Sequence, residues 1–486
     1  MMKRITLILC INLLALGVFA IPLRILHTND THGAYLPQSY STEDGYITLG
    51  GYLNLWEHLQ EQRQSAPRSI YLDAGDQQTG SAFAAMEYDG AIGGAVIRVF
   101  NHLQLDAATF GNHEFDQNPA NLQRLIEMAE YPFISSNIID QNTSLPLGNI
   151  PWHIIQLDSL KVGVLGLTLV ELPEKVRRSN VEHLQILPYK EAIDLYLDEL
   201  HSNTDLIIVL THNGIEADIQ LAMELDERIH LIIGGHTHSY IDEPLVVNGI
   251  HIAQAGSYLS HLGVIDLDVE DGVIKSFSNR LIPLTSKPSS PSNPLNTFIS
   301  QMSERIEDEL GQVIATLPED WTIHKFGSTN LSRWMATALK TQYAETFSPD
   351  IAIVNNGGFR KNIPAGPVTL RDMHELLPFN NTVTVFSCYG RDLQAWAQLN
   401  NRILAEKPFD ICESSPSGWQ GFGDEAVFDL GAQFYAPDKV YRVISHDFVA
   451  GQWDKYLGFE PFDVYDTGEP FLDAMVREIK AQYGIK

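Results

Sequence analysis

Cysteine is scarce. The 486-residue chain holds three, Cys10, Cys388 and Cys412. That is too few for a disulfide framework, and no cluster of them suggests a thiolate metal site. Basic residues are also short: 32 Lys and Arg stand against 61 Asp and Glu, a formal net charge of −29. This balance argues against a nucleic-acid polymer or an anionic membrane surface as a partner. A small phosphate ester stays open as a ligand, because bound cations invert the local field. After the first twenty residues no apolar run is long enough to cross a bilayer.

Those first twenty residues read as an export signal, residues 1–20. Lys3 and Arg4 precede the apolar "ITLILCINLLALGVF", and small Ala20 closes the segment. An uncleaved anchor is the alternative. Leu9 before Cys10 does not suit a lipoprotein cleavage site. Cleavage leaves Cys388 and Cys412, which an exported protein could pair.

What the chain has in quantity is alternation. From residue 21 to 283, short apolar runs such as "LRIL", "SIYL", "KVGVLGLTL", "DLIIVL" and "HLIIGG" end in polar tips. Amphipathic stretches such as "NPANLQRLIEMAEY" and "YKEAIDLYLDELHS" lie between some of them. The pattern predicts a layered α/β domain with buried strands. "PLTSKPSSPSNP" then breaks it and predicts an extended linker. The linker leads into a helix on which Leu295, Phe298, Ile299, Met302, Ile306 and Leu310 share a face. Linker and helix occupy residues 284–316, and a second, smaller α/β domain runs over 317–486.

The tips of the first domain carry the chemistry. "ILHTNDTHG" offers Asp30 and His32, and "YLDAGDQQTGS" offers Asp76, with Asp73 as a second candidate. "FGNHEFDQ" offers Asn112, His113 and Asp116; "VLTHNG" offers His212; "IIGGHTHSY" offers His236 and His238. Ligands of open α/β sheets sit beyond the carboxyl ends of the strands. Five segments therefore aim imidazoles, carboxylates and an amide at one rim. That donor set suits zinc, manganese or a similar divalent ion. About seven ligands, one bridging, exceed the need of one ion and match two, which together would acidify a water for phosphoryl transfer. Asn112 can give a neutral oxygen to a metal, and His113 can point instead at the phosphoryl group. Asp116 can accept the second ring N–H of His113.

"NDTHG", "DAGDQQTGS", "GNHEFD", "THNG" and "GGHTH" together resemble the calcineurin-like metallophosphoesterases. Their order resembles the 5′-nucleotidase and UDP-sugar hydrolase family of exported enzymes. "NNGGFRKNIPAG" and "LLPFNNTVTVF" resemble that family's C-terminal substrate-binding domain, so the likeness covers nearly the whole mature chain. The resemblance implies Asp30, His32 and His238 on one metal, Asn112, His212 and His236 on the other, and Asp76 bridging. It implies His113 and Asp116 as the catalytic dyad, and Arg360, with Arg402 near a second family arginine, as substrate arginines. It also implies a base held between two rings. One is Tyr456 of "AGQWDKYLGF", beside Asp454, where the family usually has Gly-Gly-Asp-Gly and an aromatic. The other is Trp419 or Phe422 of "SGWQGFGDEAVFD". The implied reaction is hydrolysis of a 5′-nucleotide to nucleoside and phosphate. Cleavage of a nucleotide sugar or of a 2′,3′-cyclic nucleotide would use the same metals. An exported nucleotide-binding protein without turnover is the non-enzyme alternative, against which the complete ligand set speaks.

Overall fold

The computed structural model describes residues 20–42, 45–243, 245–270, 272–323, 327–421, 425–431, 434 and 436–485. The export signal, apart from Ala20, and Phe422 lie outside the described residues. Among the described residues no helix is long and apolar enough to cross a membrane.

Two six-stranded sheets build the first half. One orders its strands Val273–Pro283, His261–Glu270, Ile21–Thr28, Ser69–Asp73, Ala107–Thr109 and Phe133–Ile134. The other orders Trp152–Leu157, Leu160–Thr168, Leu206–His212, Leu231–Ile233, Ile250–Ala253 and Leu245–Val247. Side chains alternate across each strand. Ile25 joins the core between the sheets, while Leu26 joins the core under the helices. Likewise Leu206, Ile208 and Leu210 face the sheet-to-sheet core, while Ile207 and Val209 pack under the helices Tyr189–Asn203 and Ile215–Glu224. Burial on both faces is why these strands read as continuous apolar runs.

Ile21–Thr28, Ser69–Asp73 and Ala107–Thr109 run parallel, as do Leu160–Thr168, Leu206–His212 and Leu231–Ile233. Their carboxyl ends therefore meet at one rim.

The proline-rich segment is extended but is strapped to the first half rather than free. Leu284 is fully buried, and the Lys287 and Ser290 amides donate to Asn54 Oδ1 and Glu57 Oε1 of the helix Tyr52–Ser65. The helix Leu295–Leu310 buries Leu295, Ile299, Met302, Ile306 and Leu310 in the same core.

The second half is a five-stranded sheet ordered Cys412–Ser415, Ile351–Asn355, Val440–His446, Thr382–Tyr389 and Phe462–Pro470. Ala352 and Val354 face one core of this half, Ile351 and Ile353 the other. Cys388 and Cys412 are both buried free thiols. Burial pushes the Cys388 thiol up to about 12.

Arg177 pairs with Asp447 at 2.7 Å, and Gln452 donates to the carbonyls of Pro173 and Val176, joining the halves.

Candidate active site

Neighbouring loops bring the polar tips together. The amides of Asp30, His32 and Gly33 donate to the carbonyls of Gly75, Asp76 and Gln77, so the first two loops run side by side. Asp30, His32, Asp76, His236 and His238 all sit at positive φ, between 49° and 77°. Non-glycine residues rarely adopt that region, and strain of this kind gathers at functional sites. Glycine is required at 111: a Cβ there would lie 2.1 Å from Asp76 Oδ1.

Glu114 locks the arrangement. Its buried carboxylate accepts four backbone N–H bonds, from Gly111, Asp76, Gln77 and Gln78, at 2.6–3.2 Å. One side chain thus ties the Asp76 loop to the Asn112–His113 loop.

Three clusters have ligand atoms within 4.8 Å of one another: Asp30, His32 and His238; Asp76, His212 and His236; and His32, Asp76 and His113. The tautomers suit metal binding. His212 Nδ1 donates to the Ala74 carbonyl at 2.7 Å, which turns Nε2 toward Asp76 Oδ2, 3.1 Å away. His32 Nδ1 is held by the Thr79 carbonyl at 3.0 Å, and its Nε2 lies 3.1 Å from His238 Nε2. Burial lowers His32 and His236 to about 3, so both are neutral imidazoles. Burial opposes the charge on Asp76, but His212 and His113 outweigh it and hold that carboxyl well below its usual range.

Asn112 Oδ1 is buried and makes no hydrogen bond, while the buried His212 Nε2 lies 3.1 Å from Asp76 Oδ2. An unpaired buried polar atom is costly, and one set in a cluster of carboxylates and imidazoles fits a bound cation. The residues present therefore fit divalent metal.

His113 stands apart in its bonding. Its Nδ1 lies 2.6 Å from Asp116 Oδ2, and its amide donates to Asp76 Oδ1 at 2.8 Å. Burial works against a charged ring, but Asp116 and Asp76 outweigh it and raise the pKa. The ring stacks on Phe379 of the second half, with centroids 5.8 Å apart.

A cavity of about 360 Å³ opens over this rim, between the halves. Asp76, Asn112, His113, Asp116, His236 and His238 line it from one side, and Arg360, Phe379, Phe409, Phe448 and Tyr456 from the other. The Arg360 charge opposes protonation of His113, which places the guanidinium near the reacting end.

Several residues named from the resemblance are not at the cavity wall. Arg402 is exposed on the helix Gly390–Glu406. Trp419 donates from Nε1 to the Cys412 carbonyl and packs on Phe428, so the core claims its ring. Asp454 pairs with Arg178 of the first half at 2.9 Å and is not among the residues that line the cavity. Tyr456 does line the cavity but is only 3% exposed, with little ring face free. The open faces belong to Phe409, 38% exposed, and the half-buried Phe448. Sequence reasoning missed both, along with Glu114. Phe448 was within reach: it follows the buried strand Val440–His446, the position where the candidate ligands of the first half lie.

Such a donor set, on strand tips with a dyad beside it, defines a metal-dependent phosphoester hydrolase. The family models agree. Calcineurin-like phosphoesterase matches residues 23–240, and the C-terminal domain of 5′-nucleotidase matches residues 313–410. The chain belongs to the calcineurin-like phosphoesterases of 5′-nucleotidase type. It is 27% identical over 512 residues to a 5′-nucleotidase of Vibrio cholerae, covering 93% of this chain and 89% of that one. It is 28% identical over 378 residues to an uncharacterized metallophosphoesterase of Bacillus subtilis, covering 76% of each. The fold resembles a 5′-nucleotidase precursor from Thermus thermophilus, with a TM-score of 0.77 at 23% identity over 96% of this chain and 97% of that one.

Proposed function

We propose that the protein is an exported dinuclear-metal phosphohydrolase that converts 5′-nucleotides to nucleoside and phosphate. One observation carries the reading: the unpaired Asn112 Oδ1 lies in a cluster of carboxylates and imidazoles whose cavity is closed on the far side by Arg360 and two open aromatic rings.

Asp30, His32 and His238 would hold one ion, Asn112, His212 and His236 the other, and Asp76 would bridge them. When bound, the pair would acidify a water and offset charge on the phosphoryl oxygens. The residues of the chain do the rest. Arg360 binds phosphoryl oxygens from the second half. His113, kept protonated by Asp116, donates a hydrogen bond to the phosphoryl group and a proton to the leaving nucleoside oxygen. Phe409 and Phe448 cover the two faces of the base. The basic and apolar first twenty residues support export.

The test is an assay of metal-stripped protein against 5′-nucleotides and p-nitrophenyl phosphate, before and after addition of manganese or zinc. Activity on nucleotides should vanish on chelation and return with metal. Full activity with metal absent by elemental analysis would overturn the mechanism. Recovery of the mature chain from the exported fraction, beginning near Ile21, tests the location.

A further inference from the structure

The base end of the cavity carries a charge pair that the phosphoryl chemistry does not use. Lys455 Nζ lies 3.4 Å from Asp410 Oδ2, and each side chain is 24% exposed. Both residues line the cavity together with Phe409 and Phe448. The Lys455 ammonium is also held 4.6 Å above the Tyr456 ring centroid. Each member therefore has a fixed place beside the open aromatic faces.

The pair leaves capacity for a ligand. An ammonium has three N–H donors, and a carboxylate accepts on both oxygens. The Lys455 contact uses Oδ2. The other oxygen, Oδ1, faces the Gly357 turn, where an added Cβ would lie 3.6 Å from it and 3.6 Å from Phe409 Cε1. Because residue 357 has no side chain, the space in front of Oδ1 and of the Phe409 ring edge stays open.

Resting on the nucleotidase reading above, we propose that Asp410 and Lys455 read the edge of the base and select guanine nucleotides. A carboxylate binds two parallel N–H donors in bidentate fashion, and an ammonium beside it donates to an oxygen. Guanine presents that sequence on one edge: an amino N–H, a ring N–H and a keto oxygen. Hypoxanthine keeps the ring N–H and the oxygen but lacks the amino group. Adenine has a C–H and a bare ring nitrogen where guanine has its amino group and ring N–H, so both donors to the carboxylate are lost, a lone pair faces it, and an amino group replaces the oxygen that would meet the ammonium. A site built for a donor rejects the analogue that lacks it.

The experiment compares kcat/KM for the 5′-monophosphates of guanosine, inosine and adenosine, and for p-nitrophenyl phosphate, with metal-loaded protein. Wild type should favour guanosine over adenosine monophosphate by about tenfold or more, the scale of one hydrogen bond to a charged group. Inosine monophosphate should fall between them. Asp410→Asn and Lys455→Met should each erase most of that preference and leave the generic ester unchanged. Equal kcat/KM for the three nucleotides in wild type would overturn the proposal. So would variants that lower all three nucleotides by one common factor. Failure of the function itself looks different, since no nucleotide would then be hydrolysed while the generic ester was.

Discussion

His113 Nδ1 lies 2.6 Å from Asp116 Oδ2, so one residue of a short turn orients another three positions earlier. The imidazole is thereby turned with Nε2 toward the Asp76 side of the cavity, 3.9 Å from Asp76 Oδ2. His113→Ala should keep bound metal near the wild-type level and lower kcat by roughly 10²–10⁴-fold. Asp116→Asn keeps the ring in place but removes the charge that sustains its proton, and should cost about 10–100-fold. Elemental analysis beside steady-state kinetics checks both. A metal-free His113→Ala protein would show that His113 is a ligand instead.

Glu114 is expected to act through structure and metal together. Its removal leaves four buried N–H groups without an acceptor, each costing about 1–3 kcal/mol before relaxation. Glu114→Ala should lower Tm in chelator and weaken manganese binding as well, since Asp76 and Asn112 hang from the loops it joins. Glu114→Gln, with one acceptor oxygen, should fall between. Thermal melts and metal titration on the same samples provide the measurement. Unchanged manganese affinity in Glu114→Ala would show that the loops hold without it.

The aromatic residues separate by exposure. Phe409→Ala should raise KM for nucleotides by about tenfold and leave a generic phosphate ester nearly unchanged, given burial plus about 0.5–1.5 kcal/mol of stacking. Phe448→Ala should behave alike. Trp419→Ala should instead lower stability, because its ring and Nε1 serve the core. Asp454→Ala should change KM less than about twofold, since its partner is the exposed Arg178 and such pairs contribute about 0–1 kcal/mol. A tenfold KM effect confined to Trp419→Ala or Asp454→Ala would place base binding elsewhere.

His27 gives the fold an acid limit. It is fully buried, and neither ring nitrogen has a hydrogen-bond partner. Its neighbour across the strands is Gly263, where a Cβ would lie 2.0 Å from Nε2. Burial lowers its pKa from 6.5 to about 4. The folded state therefore holds the ring neutral where the unfolded chain would protonate it. Stability attributable to this group is lost as pH falls from 6.5 to about 4, reaching about 3 kcal/mol at the lower end. His27→Leu should flatten urea midpoints across that interval, measured in chelator so that metal loss does not intrude. Parallel pH profiles for the two proteins would remove His27 as the cause.

Much of the clustering of candidate ligands at one rim was legible in the sequence because the physics there is local. A strand buried on both faces must be apolar throughout, so the first polar residues past its end stand out, and parallel strands bring those ends to one side. Asp30, Asp76, Asn112 and His236 lie just past such ends, and His212 is the last residue of its strand. The base end had no such signature. Phe409 and Trp419 are both aromatic residues in a loop-rich stretch, and only packing decides that one ring stays open while the other is claimed by Phe428 and the Cys412 carbonyl. Asp454 finds Arg178 across 276 positions of sequence, and the proline-rich segment finds Asn54 and Glu57 across more than 200. The sequence alone determined which atoms could hold metal. The tertiary structure decided which side chains face the substrate, because exposure is a property of neighbours brought together only when the two halves fold and meet.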